Sequence, residues 1–231
     1  MPFAPVRLAV LASGGGSNLQ AILDRFGARN DARNDARNDS LNDARSDARN
    51  GALNSATDDR APLRVVLVAS DRAGSGALER ARAAGVPTAV IADPGDAAAL
   101  TALLARHDVE LVALAGYLKL LPAAVIAHWP GAVVNVHPAL LPRFGGPGMY
   151  GLRVHRAVLA AGERESGATV HLVDERYDHG AIIAQERVPV DPTDDAERLA
   201  ARVLTAEHRL YPLALERLAL AMRVPTPSVH D

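Results

Sequence analysis

The segment Asn135-Val136-His137-Pro138 places an amide and an imidazole two residues apart. On an extended strand that spacing turns both side chains to one side. An amide and an imidazole held side by side can both donate to one developing oxyanion. Pro138 ends such a strand and fixes the turn after it. Alone the pair is a weak signal, because a histidine at a strand end more often serves structure than catalysis. Its surroundings strengthen it. Ala139-Leu140-Leu141-Pro142 leads into Gly145-Gly146-Pro147-Gly148-Met149-Tyr150-Gly151, a flexible loop suited to a site that opens and closes. Further on lie His171 and Asp174-Glu175-Arg176-Tyr177-Asp178-His179-Gly180. A carboxylate near His137 would stabilise its protonated form and fix its orientation. Spacing leaves Asp174, Glu175 and Asp178 open for that role.

A second motif, Ser13-Gly14-Gly15-Gly16-Ser17-Asn18, sits between an apolar run and an amphipathic stretch. Glycines let the backbone approach an anion closely, and a helix N-terminus offers unpaired N–H groups and a favourable dipole. Phosphate binding is therefore expected here, with Ser17 and Asn18 adding side-chain hydrogen bonds. The loop is not a Walker loop, since Gly-Lys-Ser/Thr is missing. It also fails the dinucleotide fingerprint, since Leu19 stands where the third glycine would be. A dinucleotide-binding protein remains a competing reading, with Asp71 the nearest acidic residue for a ribose.

Other chemistries fit poorly. The chain has no cysteine, which removes disulfides, thiolate metal sites and cysteine nucleophiles. No metal is expected, because the spacing of His171 and His179 matches no standard zinc pattern. No G-x-S-x-G elbow is present. The net charge of −2 and the scarcity of aromatic residues argue against a nucleic-acid partner. No apolar run is long enough to span a bilayer, and no signal-peptide pattern opens the chain, so no membrane association and a cytoplasmic location are expected. His128, His155 and His230 have no motif around them and are taken as surface or structural residues.

Alternating elements must position these residues. Val6–Ala12, Leu63–Ala69, Pro87–Ala92, Val109–Ala115 and Ala132–Val136 read as strands. Ser17–Phe26, Ala77–Ala84, Asp96–Arg106, Leu121–His128 and Arg153–Ala161 read as the helices between and after them. The strand-like stretches Thr169–Val173 and Ala181–Val190 follow. A long helix over about Asp194–Arg223 closes the chain, and Pro212 is expected to break or kink it. The alternation predicts an α/β, Rossmann-like fold: a mostly parallel twisted sheet with helices on both faces and right-handed crossovers. Such sheets bind ligands beyond the carboxyl ends of their strands. One segment stands apart. From about 28 to 59 a four-residue unit resembling Ala-Arg-Asn-Asp repeats, too poor in apolar residues to offset its ordering entropy, and it reads as a tolerated surface insertion.

In order along the chain, S-G-G-G-S-N-L-Q, L-A-G-Y, N-V-H-P-A-L-L-P and H-L-V…Y-D-H-G resemble the folate-dependent formyltransferases, and among them the glycinamide ribonucleotide formyltransferases of purine biosynthesis. The resemblance runs from Val6 to about Leu215, interrupted by the insertion. It implies the formyltransferase fold and a single domain over 1–223, with a tail at 224–231. It implies 10-formyltetrahydrofolate as a consumed co-substrate and glycinamide ribonucleotide as formyl acceptor, in a monomer or homodimer. By this resemblance Asn135, His137 and Asp178 are catalytic, Asp178 being chosen over Asp174 and taken to hold the imidazole protonated. His171 supports the active centre. Gly15, Gly16, Ser17, Asn18, Pro138 and Glu207 contact the substrate, the loop through its phosphate and Glu207 through its ribose. Leu118, Lys119, Leu120 and Leu121, with Asn135, line the folate pocket. There are departures. The family usually has arginine at the position of Lys119. The loop Phe144–Val154 is longer and richer in glycine than the common pattern, and the insertion matches nothing in the family. Two rivals within the superfamily are disfavoured: a methionyl-tRNA formyltransferase would need a basic tRNA-binding extension, and a formyltetrahydrofolate deformylase an N-terminal regulatory domain.

Overall fold

The computed structural model describes residues 4–26 and 61–224, so the repeat insertion and nearly all of the tail lie outside the described residues. The chain alternates β1 (Val6–Leu11), α1 (Ser17–Phe26), β2 (Leu63–Ser70), α2 (Gly76–Ala83), β3 (Thr88–Val90), α3 (Ala97–Arg106), β4 (Leu111–Leu114), α4 (Ala123–His128) and β5 (Val133–His137). Then follow α5 (Leu152–Ala160), β6 (Glu165–Leu172), β7 (Ile182–Pro189) and α6 (Ala196–Arg223). All seven strands form one sheet in the order β3-β2-β1-β4-β5-β6-β7. The β1–β2, β2–β3, β1–β4 and β4–β5 pairs are parallel, and β6 and β7 join antiparallel. Strand order reverses between β1 and β4, the place where a crevice opens at the carboxyl ends.

Burial explains the apolar runs. Successive strand residues point to opposite faces. The last four residues of β1 and all of β4 are buried in unbroken runs, so both faces of the sheet centre are covered. Two groups of helices do the covering: α1, α2, α5 and α6 make contacts among themselves, while α3 packs with α4. Leu19, Ile22, Leu23 and Phe26 form the buried stripe of α1 expected from their spacing. Local signals set helix starts. The Asp96 side chain accepts from Ala99 N at 2.9 Å and that of Asp195 accepts from Arg198 N at 2.8 Å.

The structure departs from the sequence reading in two places. First, β6 begins at Glu165 rather than Thr169. Its polar start, Glu165 to Gly167, pairs with Pro189 to Arg187 of β7, so tertiary pairing overrides local composition. Gly167 is required there, since a Cβ at that position would lie 2.1 Å from the Glu186 carbonyl oxygen. Second, Pro212 does not end α6. A proline inside a helix costs about 3 kcal/mol. The packing of α6 on both sides of it outweighs that cost: Tyr211, Ala214, Leu215 and Ala219 are all buried in the main core. Tyr211 also anchors the helix to the sheet. Its hydroxyl lies 3.0 Å from the Leu114 carbonyl oxygen and 3.1 Å from that of Val134, donating between β4 and β5.

Among the described residues no helix is long and apolar enough to cross a membrane. Because the Tyr211 hydroxyl is fully buried, Tyr211→Phe is expected to lose about 1–3 kcal/mol of unfolding free energy in urea titrations. An unchanged midpoint would show that this anchor contributes nothing.

Candidate active site

The register of β5 and β6 assembles the centre. Asn135 pairs with His171, and His137 with Thr169, so all four side chains share one face of the sheet. Asp178 arrives from the loop between β6 and β7. That loop turns tightly: Asp178 has φ 55°, and a Cβ on Gly180 would lie 1.9 Å from the Leu172 carbonyl oxygen. Asp is among the few side chains that tolerate a left-handed backbone, so its position in the turn is compatible with its chemistry.

Asp178 is the hub. Its Oδ2 lies 3.4 Å from His137 Nδ1 and accepts from Gly146 N at 2.9 Å. Its Oδ1 lies 3.6 Å from His171 Nε2 and accepts from Asn135 Nδ2 at 3.5 Å. Burial pushes its carboxyl up, but the contacts with His137, His171 and Gly146 outweigh that and hold it well below the usual carboxylate range. The structure thus brings Asp178, of the three acidic residues in the loop, to His137. Asp174 instead pairs with His179, 2.7 Å away on the loop surface, and Glu175 is exposed.

The histidines take distinct roles. Nδ1 of His171 donates to the Leu172 carbonyl at 2.8 Å, which leaves Nε2 to accept from Asn135 Nδ2 at 3.1 Å. The two hydrogens of the Asn135 amide are therefore directed at His171 and Asp178. His137, 3 % exposed, has oxygen acceptors at both nitrogens: Asp178 at Nδ1, and the Phe144 carbonyl, 2.8 Å away, at Nε2. A ring placed between two acceptors can hold a proton on each nitrogen. Phe144 opens the glycine-rich loop with φ 58°, and its carbonyl occupies the donor an oxyanion would need. Thr169 supports the approach to this loop, donating to Ala139 O at 2.6 Å and accepting from Leu141 N at 3.1 Å.

His155, which carried no motif, is 4 % exposed on α5, and its Nδ1 has no partner among the described residues. Burial, and then the charge of His137, lower its affinity for a proton. Nothing in local sequence marks it; only the fold brings α5 over His137. The backbone contacts of Phe144 and Gly146 were equally invisible, since any residue supplies a carbonyl or an N–H.

The glycine loop lies across the crevice, between β1 and α1. Among the described residues the backbone N–H groups of Gly15, Gly16, Ser17 and Asn18 have no acceptor. The Asn18 Nδ2 donates to Glu207 Oε2 at 2.5 Å, while Asn18 Oδ1 is buried without a partner. Glu207 on α6 is 7 % exposed, and burial pushes its carboxyl up. The pair offers an acceptor and a carboxylate beside an anion-ready loop, which suits a hydroxylated phosphorylated ligand. Pro138 is half-buried next to His137.

After β4, Leu118, Lys119 and Leu120 are exposed at the same sheet end, and Leu118 N donates to Ser13 Oγ at 3.1 Å, tying this segment to the glycine loop. Leu121 differs: at 2 % exposure its side chain belongs to the core, so the open apolar wall is made by Leu118 and Leu120. Asp71, at the end of β2, has a buried Oδ1 without a partner, and burial together with the Asp71 charge pushes the Tyr117 phenol up to about 12. Among the described residues no group of three His, Asp or Glu side chains could hold a metal ion.

Residues 43–215 match the formyl transferase family. The chloroplastic phosphoribosylglycinamide formyltransferase of Arabidopsis thaliana is 46% identical over 154 residues, 64% of this chain and 53% of that protein. The chain spans about half the length of the first curated relatives it matches. Among solved structures, phosphoribosylglycinamide formyltransferase from Brucella melitensis is 37% identical with a TM-score of 0.72, covering 96% of this chain and 100% of that one. The enzyme of the same name from Anaplasma phagocytophilum is 33% identical with a TM-score of 0.73, covering 94% and 87%. The chain belongs to the formyl transferase family, in the group of the phosphoribosylglycinamide formyltransferases.

Proposed function

We propose that the chain transfers the formyl group of 10-formyltetrahydrofolate to the amine of glycinamide ribonucleotide, a step of purine biosynthesis, from a single catalytic domain. The observation that carries this reading is the buried Asp178 carboxylate shared by His137 and His171 beside Asn135, at the same sheet end as a loop of unpaired N–H groups. The names of the relatives supply the acceptor, and the chemistry of the centre fits formyl transfer to an amine.

The amine nitrogen attacks the formyl carbon, and the carbonyl electrons move to oxygen. In this reading His137 Nε2 donates to that oxygen, taking it in place of the Phe144 carbonyl. Asn135 adds a second donor when one of its amide hydrogens turns from Asp178 or His171 toward the oxyanion. Asp178 holds His137 oriented through Nδ1 and helps a proton move from the attacking amine through water toward the folate nitrogen. Collapse of the intermediate breaks the bond to the folate nitrogen, which takes up a proton and leaves as tetrahydrofolate. The glycine loop, with Ser17 and Asn18, binds the phosphate away from the reacting atoms, so that binding energy places the amine. Glu207 and Asn18 face the ribose hydroxyls. Leu118, Lys119 and Leu120 form the outer wall for the folate.

Three outcomes follow from these roles. His137→Ala and Asp178→Asn should each lower kcat by at least about 100-fold, the usual scale of a lost acid–base group, with circular dichroism unchanged. Turnover at the wild-type rate in either variant would remove the assignment. Replacing Ser17 and Asn18 together with alanine should raise KM for the ribonucleotide with little effect on KM for the folate; an unchanged KM rules out the phosphate role. Stability should also report Asp178. Because its folded pKa is depressed, the ionised carboxylate contributes stability above the unfolded value of about 4, and that contribution is lost as pH falls through the folded value. In urea titrations Asp178→Asn should therefore flatten the loss of stability below about pH 4; an equally steep acid loss in the variant contradicts the pairing.

A further inference from the structure

The glycine loop is held from behind by α2. Gly14 O accepts from Ala77 N at 3.2 Å, and Gly15 O accepts from Arg80 Nε at 2.8 Å. In a trans peptide the C=O and N–H point opposite ways. Fixing these two carbonyls toward α2 therefore turns the N–H groups of Gly15 and Gly16 away from it, on one side of the loop. Successive main-chain N–H groups aimed the same way form an anion-binding concavity. The N–H groups of Ser17 and Asn18 at the start of α1 extend the run, and none of the four has an acceptor among the described residues.

The two carbonyls are held differently. A backbone N–H secures Gly14, so no change of side chain at that point would release it. Among the described residues the Gly15 carbonyl accepts only from the Arg80 side chain. Arg80 is in turn braced: its NH1 donates to Gln20 Oε1 at 2.9 Å, and Gln20 Nε2 donates to Asp24 Oδ1 at 2.8 Å. Contact between loop and helix is close. A Cβ on Gly16 would lie 2.7 Å from Ala77 Cα, and one on Gly76 would lie 3.0 Å from Gly15 O. Arg80 is exposed, and its aliphatic stem contributes little to the core, so stability alone does not account for this geometry.

We propose that Arg80 is a positioning residue for substrate phosphate, setting the Gly15–Gly16 peptide so that its N–H faces the anion. This rests on the reading of the glycine loop as the phosphate site. Arg80 does not touch the reacting atoms; it acts through the loop backbone. A guanidinium provides both the Nε that reaches Gly15 O and the NH1 that reaches Gln20, a geometry a lysine ammonium does not reproduce.

The test compares glycinamide ribonucleotide, its dephosphorylated riboside and inorganic phosphate as probes of the full chain. Arg80→Ala should raise KM for the ribonucleotide and the inhibition constant of inorganic phosphate roughly tenfold each, the scale of one hydrogen bond involving a charged group. Turnover at saturation, KM for the formyl folate and KM for the riboside should stay near wild type. Arg80→Lys, which keeps the charge, should resemble Arg80→Ala. Gln20→Ala, which frees the guanidinium without removing it, should shift both constants in the same direction by less. Full rescue by lysine would overturn the positioning role in favour of charge alone. Unchanged constants in Arg80→Ala, with raised constants in the Ser17 and Asn18 double variant, would overturn the role of Arg80 and leave the phosphate site standing. Unchanged constants in both would remove the phosphate reading and this inference with it.

Discussion

A carboxylate withdrawn from water must find partners, and Asp178 is the group around which the centre is arranged. Its side chain is 9 % exposed. An isolated charge at such burial would be strongly disfavoured. Three donors converge on it instead, His137, the Asn135 amide and the Gly146 N–H, with His171 packed beside them. The centre draws on three parts of the chain. Asn135 and His137 come from the end of β5, His171 from β6 and Gly146 from the glycine-rich loop. The antiparallel turn of β6 onto β5 is what sets His171 across from Asn135.

The same carboxylate couples chemistry to the loop. Gly146 donates to one Asp178 oxygen, and two residues earlier the Phe144 carbonyl accepts from His137. One short stretch of backbone thus contacts both His137 and Asp178. Gly145 fits between them because it lacks a side chain: a Cβ there would lie 2.6 Å from Leu141 Cδ2 and 3.0 Å from the Asp178 Cβ. In the proposed reaction, ligand entry and release of the imidazole are a single event. Across the crevice, α6 ties the arrangement together, with Tyr211 bridging β4 and β5 and Glu207 reaching Asn18.

How much of this could be read from sequence depends on the length scale of the interaction. Continuous apolar runs and the stripe on α1 announced a doubly covered sheet, because burial acts on local periodicity. Asn135 and His137 were visible as a same-face pair for the same reason. Choosing Asp178 over Asp174 and Glu175 was beyond spacing, since the choice depends on how the loop folds back onto β5; family resemblance made it, and of the three it is Asp178 that lies against His137. The polar start of β6 was missed because Glu165, Ser166 and Gly167 are strand only by virtue of β7. Pro212 was expected to break or kink α6; it does not break it, because local propensity does not register the sheet packed against α6. His155 and the Phe144 carbonyl were out of reach, the first for want of a pattern and the second because backbone atoms leave no trace in residue identity.

In the proposed reaction the Asp178–His137 pair acts on a formyl carbon attacked by an amine. Following a carbon-13 label placed in the formyl group of 10-formyltetrahydrofolate, by NMR in the presence of glycinamide ribonucleotide and the full chain, tests it most directly. The label should move to the substrate nitrogen as a formamide, one for one with tetrahydrofolate formed. Label appearing as free formate, or remaining on the folate, would contradict it.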